Sequence, residues 1–215
     1  MSAILRNGIF GDYYGNTFDT SNALTQSQME VNALYIYSYL KHEGWKENPI
    51  AALLGNMQAE STINPGRWQG NNVGGGPAYG LVQWDPFSKY INWATSNGHS
   101  DPSEMDSNLA RIMYEVENNL QWIARGSFSD MSFKEFTTSE LSVSELATAF
   151  LLCYERPADQ SESVQNYRGS LAEAWYTYLT GKDPVSPGGS GGASVNKKNK
   201  FNFILFNRRR RGIYG

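Results

Sequence analysis

The sequence predicts an α+β fold that is mostly helical and carries one small β lobe. Between residues 25 and 181, apolar side chains recur at helical spacing in several segments that open with capping residues. Between residues 62 and 85 this periodicity stops, and glycines and prolines separate short polar and aromatic stretches. With 215 residues, 40% of them hydrophobic, the chain can bury one sizeable core.

The first helix is predicted by a capping box formed by Thr25 and Gln28. In such a box the two side chains bond to backbone N–H groups that are otherwise unpaired at the helix start. The helix is expected to run to about His42, because Gly44 follows and glycine commonly ends helices.

The second helix is predicted to begin with Asn48 as the N-cap and Pro49 at the first helical position. Its buried stripe follows at Ile50, Leu53, Leu54 and Met57. One more step of three residues reaches Glu60, which is therefore expected on the core-facing side of the last turn. There the carbonyl end of the helix dipole and the loss of water both disfavour negative charge. Both effects raise a carboxyl pKa, as a general acid near neutral pH requires.

Residues 62–85 are predicted to form the β lobe, with Tyr79 to Trp84 as its clearest strand. Directly after this strand, Asp85 and Pro86 resemble an N-cap and a first helical position, and the helix that they open is expected to reach about Ser96.

Three further helices are predicted to open at Ser103, at Ser132, and at either Ser142 or Ser144. A last helix is expected to stop at Gly181. The apolar positions that define the longer helices are Leu109, Ile112, Met113, Val116, Leu120 and Ile123, then Val143, Leu146, Phe150 and Cys153, and finally Leu171, Ala174, Trp175 and Tyr178.

The chain is predicted to divide into four segments. Residues 1–24 lack periodicity, so we expect either an extended arm that docks elsewhere or a poorly ordered terminus. A folded, mostly helical domain is expected at 25–182 and a flexible linker rich in Gly, Ser and Pro at 183–195. A basic and aromatic tail follows at 196–215.

Charge is unevenly distributed along the chain. Seven of the 18 basic residues and none of the 21 acidic residues lie after Val185, so the preceding part has a net charge of about −10. This acidic part is a poor candidate for binding nucleic acid. The first 15 residues lack the apolar core of a secretion signal, so they are not expected to direct the chain to a secretion machinery.

Three ordered motifs resemble the lysozyme and lytic transglycosylase superfamily, and most closely the phage tail lysozyme family of viruses that infect Gram-positive bacteria. They are Leu54 to Pro65 with its Glu60-Ser61 and Asn64-Pro65 pairs, Gly80-Leu81-Val82-Gln83-Trp84, and Tyr154-Glu155-Arg156-Pro157. The resemblance covers about Thr25 to Gly181. It implies a lysozyme-like fold and cleavage of peptidoglycan by a virion tail protein, which acts on the host cell wall and assembles with other phage tail proteins. Because a cell-wall enzyme without a secretion signal must reach the wall in another way, delivery on a virion or release by another lysis protein is expected.

Glu60 is the predicted catalytic acid/base, because breaking a β-1,4 glycosidic bond requires protonation of the leaving oxygen. A hydrolase would add a second carboxylate, for which Asp85 and Glu155 are the candidates. Asp85 also fits a helix N-cap, and Glu155 also fits a structural ion pair with Arg156. A lytic transglycosylase needs one acid/base only, since the C6 hydroxyl of the sugar closes the ring. Both reactions therefore stay open.

Six residues are predicted to bind the substrate: Ser61, Gln83, Trp68, Tyr79, Trp84 and Tyr154. The resemblance implies that Gln83 lines the cleft opposite the catalytic glutamate and that Tyr154 reaches the site. The other aromatic residues offer flat faces on which sugar rings can stack, with packing in the core as the alternative.

Cysteine chemistry and metal chemistry are not expected. Cys153 with His42 or His99 would suggest a Cys–His peptidase, but Cys153 lies on an apolar helical stripe, where a thiol packs as a small hydrophobe. Two isolated histidines and one cysteine give no zinc pattern, so neither a metal nor a cofactor is predicted.

The tail at 196–215 combines aromatic and aliphatic residues with four consecutive arginines. We expect it to contact an anionic surface such as teichoic acid or membrane lipid, or to dock onto a tail structure, with a disordered end as the alternative. For the whole chain, the alternative to an enzyme is a structural or glycan-binding tail protein that has lost catalysis.

Overall fold

The structure, a computed structural model, describes residues 3–188. Within these residues it contains one two-stranded antiparallel sheet and seven α-helices. In chain order they are β1 (Ile4–Gly8), β2 (Gly11–Gly15), α1 (Gln26–His42), α2 (Glu47–Ser61), α3 (Ser88–Ser96), α4 (Met105–Asn118), α5 (Phe133–Thr137), α6 (Val143–Phe150) and α7 (Glu162–Leu179). The predicted α+β class is confirmed, and the helices dominate.

Three of the predicted helix starts are confirmed as capping boxes. Thr25 caps α1 with Gln28 at the third position, Ser132 caps α5, and Ser142 rather than Ser144 caps α6. In each box the hydroxyl accepts a backbone N–H and the third residue's side chain bonds back to the cap. These local signals fix where the helices begin.

The start of α2 differs from the prediction. Lys46 occupies the N-cap, and the amide of Asn48 instead donates to the Leu141 carbonyl at 2.9 Å. Pro49 lies within the first turn, where its missing N–H costs no helical hydrogen bond. The helix ends at Ser61, so Glu60 lies in the last turn as predicted.

The starts of α3 and α4 are also corrected. Phe87 precedes α3, so Asp85 is not its N-cap and its side chain is exposed. Glu104 rather than Ser103 precedes α4. Because α4 ends at Asn118, the expected apolar positions Leu120 and Ile123 lie beyond it and are 39% and 55% exposed.

The predicted strand from Tyr79 to Trp84 is wrong. The two residues face each other across a tight turn, with Trp84 N donating to Tyr79 O at 3.0 Å. Gly80 at φ +88° and Gln83 at φ 49° reverse the chain between them. A run of aromatic residues next to a glycine is compatible with a strand or with such a turn. The left-handed backbone conformations of Gly80 and Gln83 make it a turn.

The sheet lies instead in the N-terminal segment, which packs on α1 and is not an extended arm. Phe10 and Tyr13 are buried beside Tyr35 of α1, with ring centroids 6.0 and 5.3 Å away. Asn32 of α1 bonds to both backbone groups of Tyr14. The hairpin is therefore part of the folded body.

Helix α2 forms the centre of the helical core and touches α7 through Gly55. A Cβ at this position would lie 2.6 Å from the backbone nitrogen of Ala172 and 2.8 Å from its Cα. Real Cβ atoms do not approach a backbone this closely, so only glycine allows the two helices to meet here. Arg168, one helical turn before Ala172, is thereby brought next to the C-terminal end of α2.

We expect Gly55→Ala to lower the free energy of unfolding by up to about 2 kcal/mol. Overpacking that pushes α7 away costs about 1–3 kcal/mol, and the gain of about 1 kcal/mol that alanine brings in helix propensity offsets part of this cost. Gly169→Ala is the matched control, since the nearest atom to its Cβ would be the movable Ser144 hydroxyl at 3.1 Å, and the next atoms lie at ordinary contact distances of 3.4 and 3.6 Å. Urea denaturation measures both variants, and equal stabilities would contradict the close approach.

The chain after α7 stays close to the body as far as it is described. Val185 N donates to Ser38 Oγ at 2.9 Å, and Gly188 N donates to Ile9 O at 2.7 Å. Most of the predicted linker and the whole predicted tail at 196–215 lie outside the described residues. Among the residues that are described, no helix is long and apolar enough to cross a membrane.

Candidate active site

One cleft of about 580 Å³ collects six of the nine predicted site residues. Its walls come from the last turn of α2, from the turn at 78–85, and from the segment that follows α6. The predicted residues that line it are Glu60, Gln83, Trp84, Asp85, Tyr154 and Glu155. Residues that are far apart in the chain thus meet at the C-terminal end of α2, around Glu60.

Glu60 lies at the edge of this cleft, with its side chain 23% exposed. Its carboxylate forms an ion pair with Arg168 of α7. Nη1 of Arg168 also donates to the Asn56 carbonyl at 2.8 Å, which holds the guanidinium against α2. Arg168 was not predicted as a site residue.

Glu155 lies behind Glu60 and is 5% exposed. Its Oε2 is 3.3 Å from Nη1 of Arg168, so the predicted pair with Arg156 is wrong. Arg156 turns instead to the carbonyls of Gln121 and Cys153, at 2.6 and 2.5 Å. Burial and the neighbouring charge of Glu60 raise the pKa of Glu155 well above its usual range, and the positive charge of Arg168 opposes this shift only in part.

A π-helical segment at Leu151–Glu155 directs the side chains of two neighbouring residues, Tyr154 and Glu155, towards different helices. Arg156 N donates to Leu151 O at 2.8 Å, and Arg156 itself adopts φ 53° before Pro157 ends the helix. Tyr154 points towards α4, whereas Glu155 points to α2 and α7. Such widened turns are frequent at functional sites.

Glu115 of α4 is a buried carboxylate that the sequence analysis missed. It bonds to two residues of the cleft wall, Trp84 and Tyr154. It accepts hydrogen bonds from Trp84 Nε1 at 3.1 Å, Tyr154 Oη at 2.5 Å and Arg111 Nε at 2.8 Å. Burial raises the pKa of Glu115, while these three donors oppose the shift. The sequence signal was Arg111 four residues before Glu115, a spacing typical of helical ion pairs.

Trp84 and Tyr154 are therefore wall residues rather than stacking platforms. Trp84 is 3% exposed and its ring stacks on Tyr90 with centroids 4.5 Å apart. Tyr154 is 1% exposed and packs on Phe150. Both aromatic faces are covered, which corrects the prediction that Trp84 stacks on a sugar.

Gln83 and Asp85 present polar atoms to the cleft. The amide nitrogen of Gln83 donates to the carbonyls of Arg67 and Gly80 at 3.1 and 2.8 Å, which fixes the side chain. Its oxygen has no hydrogen-bond partner among residues 3–188 and is available to a ligand. The carbonyl of Asp85 accepts from Lys89 Nζ at 2.6 Å, and its carboxylate is exposed.

Ser61, Trp68 and Tyr79 do not line the cleft, and their predicted contact with the substrate is corrected. The hydroxyl of Ser61 is buried and donates to the carbonyls of Met57 and Leu81. Trp68 and Tyr79 are fully buried with ring centroids 4.7 Å apart. Ser61 ties the loop at 62–85 to α2, whereas Trp68 and Tyr79 pack the loop against Phe18 of the N-terminal segment. All three therefore support the site from behind.

The structure offers no cysteine nucleophile at this site. Cys153 is buried, and desolvation raises the pKa of its thiol. His42 lies beside Phe10 and His99 stacks on Trp93, so neither accompanies Cys153. Within the described part of the chain, no group of three or more His, Cys, Asp or Glu side chains could hold a metal ion.

Comparisons with known proteins identify the family of this chain. The family model for phage tail lysozyme matches residues 31–179, which include Glu60, Glu155 and Arg168. Morphogenesis protein 1 of Bacillus phage B103 is 51% identical over 167 residues, covering 77% of this chain and 44% of that protein. The chain thus spans less than half the length of this relative. The match over most of the helical body shows that the chain belongs to the phage tail lysozyme family.

Proposed function

We propose that this chain cleaves the β-1,4 glycosidic bonds of peptidoglycan strands and that Glu60 is the catalytic acid/base. The observation that carries the proposal is the position of Glu60 at the mouth of a polar cleft, in an ion pair with the buried Arg168, which also pairs with Glu155. Glycoside cleavage needs a carboxyl group that a sugar can reach and that can deliver a proton. Glu60 is the accessible member of this cluster.

Glu155 is not placed to serve as a second catalytic carboxylate. It shares Arg168 with Glu60 and so lies on the same side of the cleft, whereas the two carboxyl groups of a hydrolase flank the sugar. These groups lie about 5–5.5 Å apart in retaining enzymes and about 6.5–9.5 Å apart in inverting ones. Asp85 is the exposed carboxylate in the lining, so a hydrolase would use Asp85 and a lytic transglycosylase would need neither.

The polar lining supports binding of a glycan rather than an apolar ligand. The free oxygen of Gln83 accepts a sugar hydroxyl or acetamide N–H, and Gln69, Lys89 and Gln121 add further donors along the cleft. A substrate held here by several hydrogen bonds would place one glycosidic oxygen against Glu60.

The family and the relative's name support a role on the virion. We infer that the protein belongs to the phage tail, assembles with other tail proteins and opens the host cell wall locally at infection. The expected contact of the tail at 196–215 with an anionic surface stays a prediction.

One observation favours a non-catalytic alternative. The ion pair with Arg168 neutralises the Glu60 charge, as expected in a cleft that only binds glycan. A structural or glycan-binding tail protein is therefore the second candidate function.

The test is mass spectrometry of Gram-positive peptidoglycan after digestion by the native chain, Glu60→Gln and Asp85→Asn. New reducing ends that disappear in both variants indicate a two-carboxylate hydrolase. 1,6-Anhydro ends that disappear only in Glu60→Gln indicate a lytic transglycosylase. If the folded native chain yields no new glycan ends, the glycan-binding alternative replaces the enzyme, and new amino groups would indicate peptide or amide cleavage.

A further inference from the structure

Arg168 contacts both glutamates of the cleft. Nη2 binds Glu60, and Nη1 lies 3.3 Å from Glu155. The guanidinium is 8% exposed and is fixed by its bond to the Asn56 carbonyl. Because its N–H groups form a planar fork, it can stabilise a negative charge on either carboxylate without moving.

The cluster contains one cation and two carboxyl groups, so its charge balances only when one carboxyl group holds a proton. Neither oxygen of Glu155 has a donor in hydrogen-bond geometry among the described residues. A buried carboxylate without donors is strongly disfavoured. A proton between Glu155 and Glu60 removes the excess charge and gives Glu155 its missing partner.

We propose that Glu60, Glu155 and Arg168 form a neutral cluster that holds one proton, and that Glu155 passes this proton to Glu60 for catalysis. This inference rests on the proposed function. Glu60 is the group that touches the substrate, while Glu155 and Arg168 are positioning residues that act through it.

One proton leaves the cluster and returns to it in each cleavage. The proton of Glu155 moves to Glu60, and Arg168 then compensates the charge on Glu155. Glu60 gives its proton to the glycosidic oxygen while the C1–O bond breaks and its electron pair goes to that oxygen. The cluster now carries one net negative charge, which stabilises the neighbouring oxocarbenium-like sugar. Attack by water or by the C6 hydroxyl releases a proton, which returns to Glu60.

The electrostatic surroundings of Glu155 agree with this arrangement. Burial is the largest influence on its pKa and the charge of Glu60 the next, and both raise it. Arg168 opposes them only in part. Within residues 3–188, the other charged side chains that line the cleft are Asp85, Lys89 and Arg156, and Glu115 is bonded to Tyr154 in the cleft wall.

The pH profile of glycan cleavage tests the proton transfer. Glu155→Gln keeps the shape but cannot release a proton, and it leaves Arg168 to compensate Glu60 alone. We expect the basic limb of the kcat profile to move down by about one pH unit or more, with a smaller change in KM. Arg168→Gln should move the same limb up, because the remaining proton is then held more tightly. Glu117→Gln, an exposed change on α4, is the control and should leave the limb unmoved.

Thermal denaturation provides a readout that does not depend on activity. Above pH 4.5 an unfolded glutamate loses its proton while the folded Glu155 keeps it, so the folded state binds more protons. Stability then falls as pH rises, and the Tm of the native chain should fall relative to that of Glu155→Gln.

Two results would overturn the proposal directly. One is a parallel pH dependence of the two Tm values. The other is cleavage by the native chain with an unmoved basic limb in Glu155→Gln, which leaves the proposed function intact. Absence of cleavage by the folded native chain overturns the proposed function and this inference with it.

Discussion

Replacing Glu60 with glutamine is expected to lower kcat for glycan cleavage by about 10²- to 10⁴-fold, the usual contribution of a positioned general acid. The amide keeps the size of the side chain and an oxygen for Arg168, but it cannot deliver a proton to the leaving oxygen. KM should change little, because Gln83 and the other polar lining residues stay in place. Initial rates on purified peptidoglycan, with thermal denaturation as a check of folding, measure the effect.

Binding separates this result from the non-catalytic alternative. The Glu60→Gln variant should still bind soluble glycan oligomers, as isothermal titration calorimetry can show. Glu117→Gln, which alters an exposed carboxylate outside the cleft, should cleave at the native rate. A Glu60→Gln variant that cuts within about threefold of the native chain would remove Glu60 from the role of catalytic acid, since a general acid contributes far more.

The position of Glu60 could be predicted because helical periodicity is a local signal. The stripe in α2 continues to the last turn even though the N-cap lies at Lys46 and not at Asn48. Its partner could not be predicted in this way. Arg168 is 108 residues away, and the two meet only because Gly55 lets α7 approach α2.

The N-terminal sheet was missed for a different physical reason. β1 is mostly exposed, so it lacks the alternation of apolar residues by which strands are recognised. In β2 the buried positions do alternate, but two of them are Gly11 and Gly15. Glycine is disfavoured in strands, so its presence at these positions hides the pattern.

Glu115→Ala is expected to lower the free energy of unfolding by about 3–5 kcal/mol, the range found when one partner of a buried ion pair is removed. Arg111 is then left without its carboxylate, and the N–H of Trp84 and the O–H of Tyr154 lose their acceptor inside the protein. Total stabilities of domains are about 5–15 kcal/mol, so this is a large fraction. Urea denaturation of the native chain and the variant measures the loss.

A double-mutant cycle with Tyr154→Phe decides whether this loss comes from the network itself. Alone, Tyr154→Phe removes one donor from Glu115 and should cost about 1.5–3 kcal/mol, as for a hydrogen bond to a charged group. In the Glu115→Ala background the phenol has no acceptor left, so the same change should cost much less, with a coupling of about 0.5–3 kcal/mol. Glu117→Ala, two residues along α4 and exposed, should leave stability within about 0.5 kcal/mol. If the losses for Glu115→Ala and Tyr154→Phe are additive, the hydrogen bonds of Glu115 do not stabilise the wall of the cleft as a unit. The rigidity of the site would then come from the packing of Trp84 on Tyr90.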